Sequence, residues 1–150
     1  MGIRDYLEGW KVILQRDPRL NAAIHKYGCY MMSILFLCNK YKNVELSTGD
    51  INDLYILFID SKYMDENCFI NDPASIFGFM GLQVYFYDRH DPPNYICSKD
   101  EIEILRFQYI KWKHFVAGDG ASHVAYDPYG TSKAVRLGEL KDKRIFKIQK

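Results

Sequence analysis

"GFMGLQVYFYD", residues 78–88, is where the texture of the chain changes. Before Gly81 the apolar residues recur at intervals of three and four, the spacing of a helix face. After it, β-branched and aromatic residues come with partial alternation, as strands require. The stretch therefore divides the sequence into a helical first half and a sheet-forming second half. An α+β fold is expected, with N-terminal helices packed on a C-terminal antiparallel sheet.

Working back from Gly81, "NDPASIFGFMG" (71–81) reads as a short helix, with Asp72 able to cap and Pro73 at the first helical position. "TGDINDLYILFIDSKYM" (48–64) reads as a longer one, with Thr48 or Asp50 as its cap and Asp53 near the positive end of the dipole. "CYMMSILFLCNKY" (29–41) and "RDYLEGWKVIL" (4–14) complete the helical set. Working forward, strands are expected over 82–88, 104–113, 114–120, 122–127 and 143–150. "GDGAS" (118–122) has the Gly and Asp of a hairpin turn. His114 and Asp127 lie at similar distances from its tip, which sets them on neighbouring strands, roughly opposite each other. The lysines of "KDKRIFKIQK" fit an edge strand protected against pairing.

One domain over residues 1–150 is the expectation, since no repeat or linker-like run divides the chain. Its 48% hydrophobic content supports a real core. Twenty Lys and Arg against nineteen Asp and Glu leave a formal charge of +1, which argues against nucleic acid as a partner. No stretch has the length of a signal peptide core or a membrane span, so a cytoplasmic protein without membrane attachment is expected. Its four cysteines (29, 38, 68 and 97) form no CxxC pair and have no regular spacing, which points away from disulfides and structural zinc. No cofactor is expected.

The chemistry centres on Cys29. A thiol at a helix start has its thiolate favoured by the dipole, and a nucleophile of this kind needs a base and a group to orient the base. His114 and Asp127 supply these in the order Cys, His, acid. Other readings compete for each role. Cys38 falls inside the same apolar helix and reads as core, while Cys68 and Cys97 fall in polar or turn-like sequence. His25 and His90 read as loop residues. His123 is a rival base, because a one-residue register change flips a strand's side chains. Asp119 is a rival acid, although an Asp in a turn commonly bonds its own backbone.

"QRDPRLNAAIHKYGCYMMSILFL" (15–37) resembles the opening of papain-like peptidases related to the bacteriocin-processing, double-glycine leader peptidases. In that pattern Gln-Arg-Asp-Pro-Arg-Trp precedes Tyr-Gly-Cys and an apolar helix. "HFVAGDGASHVAYDPYGTS" (114–132) is similar to the same family's His-Phe-Val segment, Gly/Asp turn and Asp-Pro. Together the blocks cover about 40 of the 150 residues. The resemblance implies a papain-like domain in which Cys29 is the nucleophile, His114 the general base and acid, Asp127 the orienting acid and Gln15 an oxyanion-hole donor. The implied activity is cleavage of a peptide or amide bond in a peptide or protein substrate through a thioester. Leu20 stands where the family has Trp, and Tyr30 and Met31 where small residues commonly follow the cysteine. Two alternatives stay open: an interaction domain that keeps the fold without catalysis, and an acyltransferase using the same triad.

Overall fold

The computed structural model describes residues 13–149. Among the described residues the helices are α1 (Ala22–Tyr27), α2 (Cys29–Lys42), α3 (Thr48–Asp60), α4 (Pro73–Phe79) and α5 (Lys133–Leu137). Five strands are β1 (Val84–His90), β2 (Glu101–Tyr109), β3 (Trp112–Gly118), β4 (Val124–Tyr126) and β5 (Glu139–Ile148). They form one sheet in the order β1-β5-β2-β3-β4, with every pairing antiparallel. Four helices precede Gly81 and all the described strands follow it, but α5 interrupts the expected sheet half between β4 and β5; Gly81 itself takes φ +93°, a backbone region that favours glycine. The helix expected over 4–14 falls outside the described residues, except for Ile13 and Leu14. Among the described residues no helix is long and apolar enough to cross a membrane.

The core is built around α2. Residues Met31 to Asn39 are all buried, and the helix is apolar on nearly every side, as a helix enclosed by other elements must be. It packs against β3 and β2 on one side and α4 on another. Phe36 stacks on Tyr126 of β4 with ring centroids 4.8 Å apart. On the opposite face of the sheet, α5 covers a smaller cluster of Leu105, Phe107, Val116 and Ala134.

Helix starts follow local chemistry. Asp72 caps α4 by accepting from the Ser75 N–H at 3.2 Å, with Pro73 at the first helical position as expected. At α3 the cap is Ser47, one residue before the expected Thr48. Its hydroxyl accepts from the Asp50 N–H at 3.1 Å while Asp50 accepts from the Ser47 N–H at 2.9 Å, a reciprocal capping box.

Two strand expectations are corrected. The stretch 104–113 is not one strand: β2 ends at Tyr109, and a two-residue turn at Ile110 and Lys111 leads into β3 with Tyr109 opposite Trp112. Ile110 has φ +56°, and without Gly, Asn or Asp the turn carries no sequence signal. Nor is β5 an edge strand, since it lies between β1 and β2. Its Lys143 is fully buried, with Nζ donating to Glu103 Oε1 at 2.7 Å and to Ser122 Oγ at 2.8 Å. Glu103 Oε2 accepts from the Gly120 and Ser122 N–H groups at 2.8 and 2.9 Å. A lysine that reads as edge protection is instead half of a buried pair that fixes the β3–β4 loop.

Candidate active site

Cys29 is the first residue of α2, preceded by Gly28, and is partly exposed. The α1–α2 junction is too close for any side chain at Gly28: a β-carbon there would lie 2.6 Å from the Ile24 carbonyl oxygen. One turn into α2, the buried Ser33 donates to the Cys29 carbonyl at 2.7 Å and also approaches the Phe115 carbonyl at 3.4 Å. The start of α2 is thereby tied to the strand that carries His114.

His114, only 1% exposed, lies on β3 in a three-ring cluster with Trp112 and Tyr129, whose centroids are 5.1 and 4.8 Å from the imidazole and 5.4 Å from each other. The Arg16 guanidinium covers Tyr129 at 4.0 Å from its centroid. Asp127 is one residue beyond β4, in a turn closed by the Gly130 N–H on the Asp127 carbonyl at 2.7 Å. Extending the Ala117↔Tyr126 register sets Asp127 across from Val116 and Tyr129 across from His114. The contact is therefore diagonal rather than directly opposite. It is nonetheless close, with Nε2 of His114 2.7 Å from Asp127 Oδ1.

Asp127 accepts two further bonds, from the Tyr129 N–H to Oδ1 and the Ser132 N–H to Oδ2, both at 2.9 Å. Burial alone would raise its carboxyl, but hydrogen bonds from His114, Ser132 and Tyr129 outweigh that and hold it at about 2. For His114 burial works downward, and the hydrogen bonds to Asp127 and to the Cys29 side chain carry it up to about 9. With Nε2 on Asp127, Nδ1 is the ring nitrogen left for Cys29. Cys29, His114 and Asp127 are thus brought together in sequence.

Gln15 is buried, and its main-chain N–H donates to the Pro128 carbonyl at 2.8 Å, beside Asp127. Its Nε2 donates to the His25 carbonyl at 3.1 Å, while the His25 ring meets the Asp17 carbonyl at 2.6 Å. One amide proton orients the side chain and the second is left over. Gln15, Cys29 and His114 open onto one cleft of about 1070 Å³, whose walls include the 65–72 loop, the start of α4 and the β3 and β5 side chains Phe115 and Arg144. Tyr30 stacks on Phe115 at 4.5 Å within those walls.

The sequence profile of a family described as "Protein of unknown function, DUF261" matches residues 11–148. The chain belongs to the DUF261 family. No curated protein and no solved structure matches it.

The competing residues of this DUF261 protein lie elsewhere or are thiols that burial disfavours as thiolates. His123 and Asp119 pair at the hairpin tip, 77% and 40% exposed. Cys38 is deep in α2, where burial pushes its thiol up to about 12. Cys97 is raised to about 12 by burial and by Glu103. Cys68, expected in isolated turn sequence, lines the same cleft as Cys29, and burial followed by the Cys29 and Asp65 charges raises it to about 12. Leu20, in place of the expected Trp, is buried in the core. Two features of the DUF261 site were not read from sequence. One is the cluster of Trp112 and Tyr129 rings beside His114, of which Trp112 is signalled by falling two residues before His114 on a strand, hence on the same face. His25 belongs to α1 rather than a loop and acts as the bracket that orients Gln15.

Proposed function

We propose that the chain is a papain-like cysteine peptidase or closely related amide hydrolase. The observation that carries this reading is the buried His114–Asp127 pair against the helix-start Cys29, with Cys29 and His114 opening onto one cleft and Asp127 behind them. A cysteine nucleophile, a base and a third group that orients the base form a geometry suited to acyl transfer.

In the first step Cys29 Sγ attacks the carbonyl carbon of the scissile amide, a C–S bond forms, and the carbonyl π pair moves to oxygen. The oxyanion is received by the Cys29 N–H, unpaired within the helix because it belongs to the first turn, and by the second amide proton of Gln15. His114, protonated near neutrality because of its raised pKa, gives its proton to the departing amine as the C–N bond breaks. Water then loses a proton to His114 and attacks the thioester. Collapse breaks the C–S bond, releases the acid and restores the charged Cys29–His114 pair. Asp127, tied by two main-chain N–H groups, keeps the imidazole turned so that Nδ1 faces the sulfur.

The test is labelling by iodoacetamide or an epoxysuccinyl inhibitor at pH 6 to 7, followed by peptide mapping. One adduct is expected, on Cys29, because burial raises the other three thiols to about 12. Hydrolysis of a mixed peptide pool should accompany it and vanish in Cys29→Ala. Equal labelling of several cysteines, or a Cys29 that reacts no faster than a free thiol, favours a non-catalytic interaction domain.

A further inference from the structure

Three guanidiniums converge on the fully buried carboxylate of Asp142. Arg89 from β1 donates to Oδ2 at 3.0 Å, Arg106 from β2 donates to the same oxygen through Nε at 2.8 Å and Nη2 at 2.5 Å, and Arg144 from β5 donates to Oδ1 through Nη1 at 2.8 Å. Three cations against one anion leave the cluster at +2. Binding the strands together would account for Arg89 and Arg106. Arg144 differs because it alone of the three lines the cleft that holds Cys29. Its guanidinium lies 4.8 Å from the Phe115 ring, which in turn stacks on Tyr30, the residue after the candidate nucleophile.

The lining also holds two acids, Asp65 and Asp72, against the three cations Arg144, Lys26 and Lys113. Asp65 accepts from the Asn67 and Phe69 N–H groups at 2.9 and 3.0 Å, and Asp72 from the Ser75 N–H and hydroxyl at 3.2 and 2.7 Å. A guanidinium is a planar fork suited to a carboxylate. With Nη1 held from behind by Asp142, Arg144 offers its remaining donors without having to be ordered on binding.

We infer that Arg144 is the specificity-determining residue of the cleft and receives a carboxylate of the bound peptide. The inference rests on the proposed amide-hydrolase reading and names its substrate class, a peptide carrying an acidic side chain or a free terminal carboxylate near the scissile bond.

The test compares the full chain with Arg144→Gln and Arg144→Lys. In the Gln variant Asp142 keeps Arg89 and Arg106, so the buried carboxylate stays paired, and the Lys variant keeps the charge. First, the iodoacetate-to-iodoacetamide rate ratio at Cys29 is measured at low ionic strength. It should fall several-fold in Arg144→Gln and be largely retained in Arg144→Lys; an unchanged ratio in Arg144→Gln overturns the inference. Second, Cys29 is protected from iodoacetamide by three octapeptide pools: one with a single Glu and an amidated end, one with Gln and an amidated end, and one with Gln and a free carboxyl end. Better protection by the first pool assigns the carboxylate to a side chain, and better protection by the third assigns it to a chain terminus. Equal protection by all three sinks the inference. His114-dependent labelling of Cys29 without charge preference removes this inference alone, whereas labelling independent of His114 removes the functional reading and this inference with it.

Discussion

Two histidine–aspartate pairs occupy the same hairpin, and they differ in nearly everything except composition. His114 and Asp127 meet at 2.7 Å across thirteen residues, with side chains 1% and 4% exposed. His123 and Asp119 meet at 3.1 Å across four residues at the tip, 77% and 40% exposed. At the tip the Asp carboxyl is lowered: its partial burial works upward but is outweighed by the Ala121 and His123 N–H groups, so it behaves as a turn residue bonding its own backbone. In the interior the imidazole has two aromatic rings packed against it, a carboxylate on one nitrogen and a thiol for the other. Residue type and spacing nominate both pairs. Burial and the third partner separate them.

The comparison breaks most directly on rate. His114→Ala should lower Cys29 labelling by iodoacetamide at pH 6 by about 10²-fold or more, the scale on which positioned acid–base groups act. His123→Ala should leave it within about twofold, since surface changes away from such features have small effects. Similar losses from both substitutions would mean that burial does not distinguish the pairs.

Stability comes next. Asp127→Asn replaces an acceptor that faces three donors with an amide that sets N–H against N–H, and should cost about 3 kcal/mol in denaturant unfolding. Asp119→Asn should cost within about 1 kcal/mol, the range of exposed pairs. The imidazole titration followed by NMR gives the same contrast: His114 should move down from about 9 in Asp127→Asn, and also in Cys29→Ala, which removes its other partner.

The pH dependence carries a sign. His114 is raised above its unfolded value of 6.5, so its contribution is fully present below 6.5 and is lost as pH rises through about 9. Asp127 is lowered from 3.8, so its contribution is present above 3.8 and is lost as pH falls through about 2. The buried pair therefore supports the fold most between about pH 4 and 6.5. A chemical-unfolding series in wild type should decline from pH 6.5 to 9, and the decline should flatten in His114→Gln. A slope unchanged by that substitution would assign it to other groups.

The same contrast explains what could be read from the sequence. Helix starts are local chemistry, so Asp72–Pro73 was legible, and the α3 start was placed within one residue. The turn after Tyr109 was not, because Ile110 adopts its left-handed conformation without the Gly or Asn that would announce it. The place of β5 was not legible either, since a lysine pattern says nothing of a Glu103 forty residues away that makes burial tolerable. The residues of the candidate triad were nominated because Gly28–Cys29 opens a long apolar run and the Gly/Asp turn brings His114 and Asp127 to adjacent strands. Part of their support was hidden: Tyr129 and Arg144 become neighbours of the site only once the sheet order and the strand register are fixed.

The smallest predicted effect concerns that support. The tip pair is local and needs only its own turn, whereas the buried pair depends on α2 being held against β3. Ser33 makes that connection, with one hydroxyl proton directed at the Cys29 carbonyl at 2.7 Å and the Phe115 carbonyl at 3.4 Å. A single proton serves mainly the nearer oxygen, so Ser33→Ala should cost about 1 kcal/mol of stability, one net hydrogen bond. The side chain is fully buried and the change is small in volume, so the fold should persist. If Ser33 also sets the register of the thiol against the imidazole, labelling of Cys29 at pH 6 should fall several-fold in the same variant. Lost stability with an unchanged labelling rate would show that the Gly28 junction alone positions the sulfur.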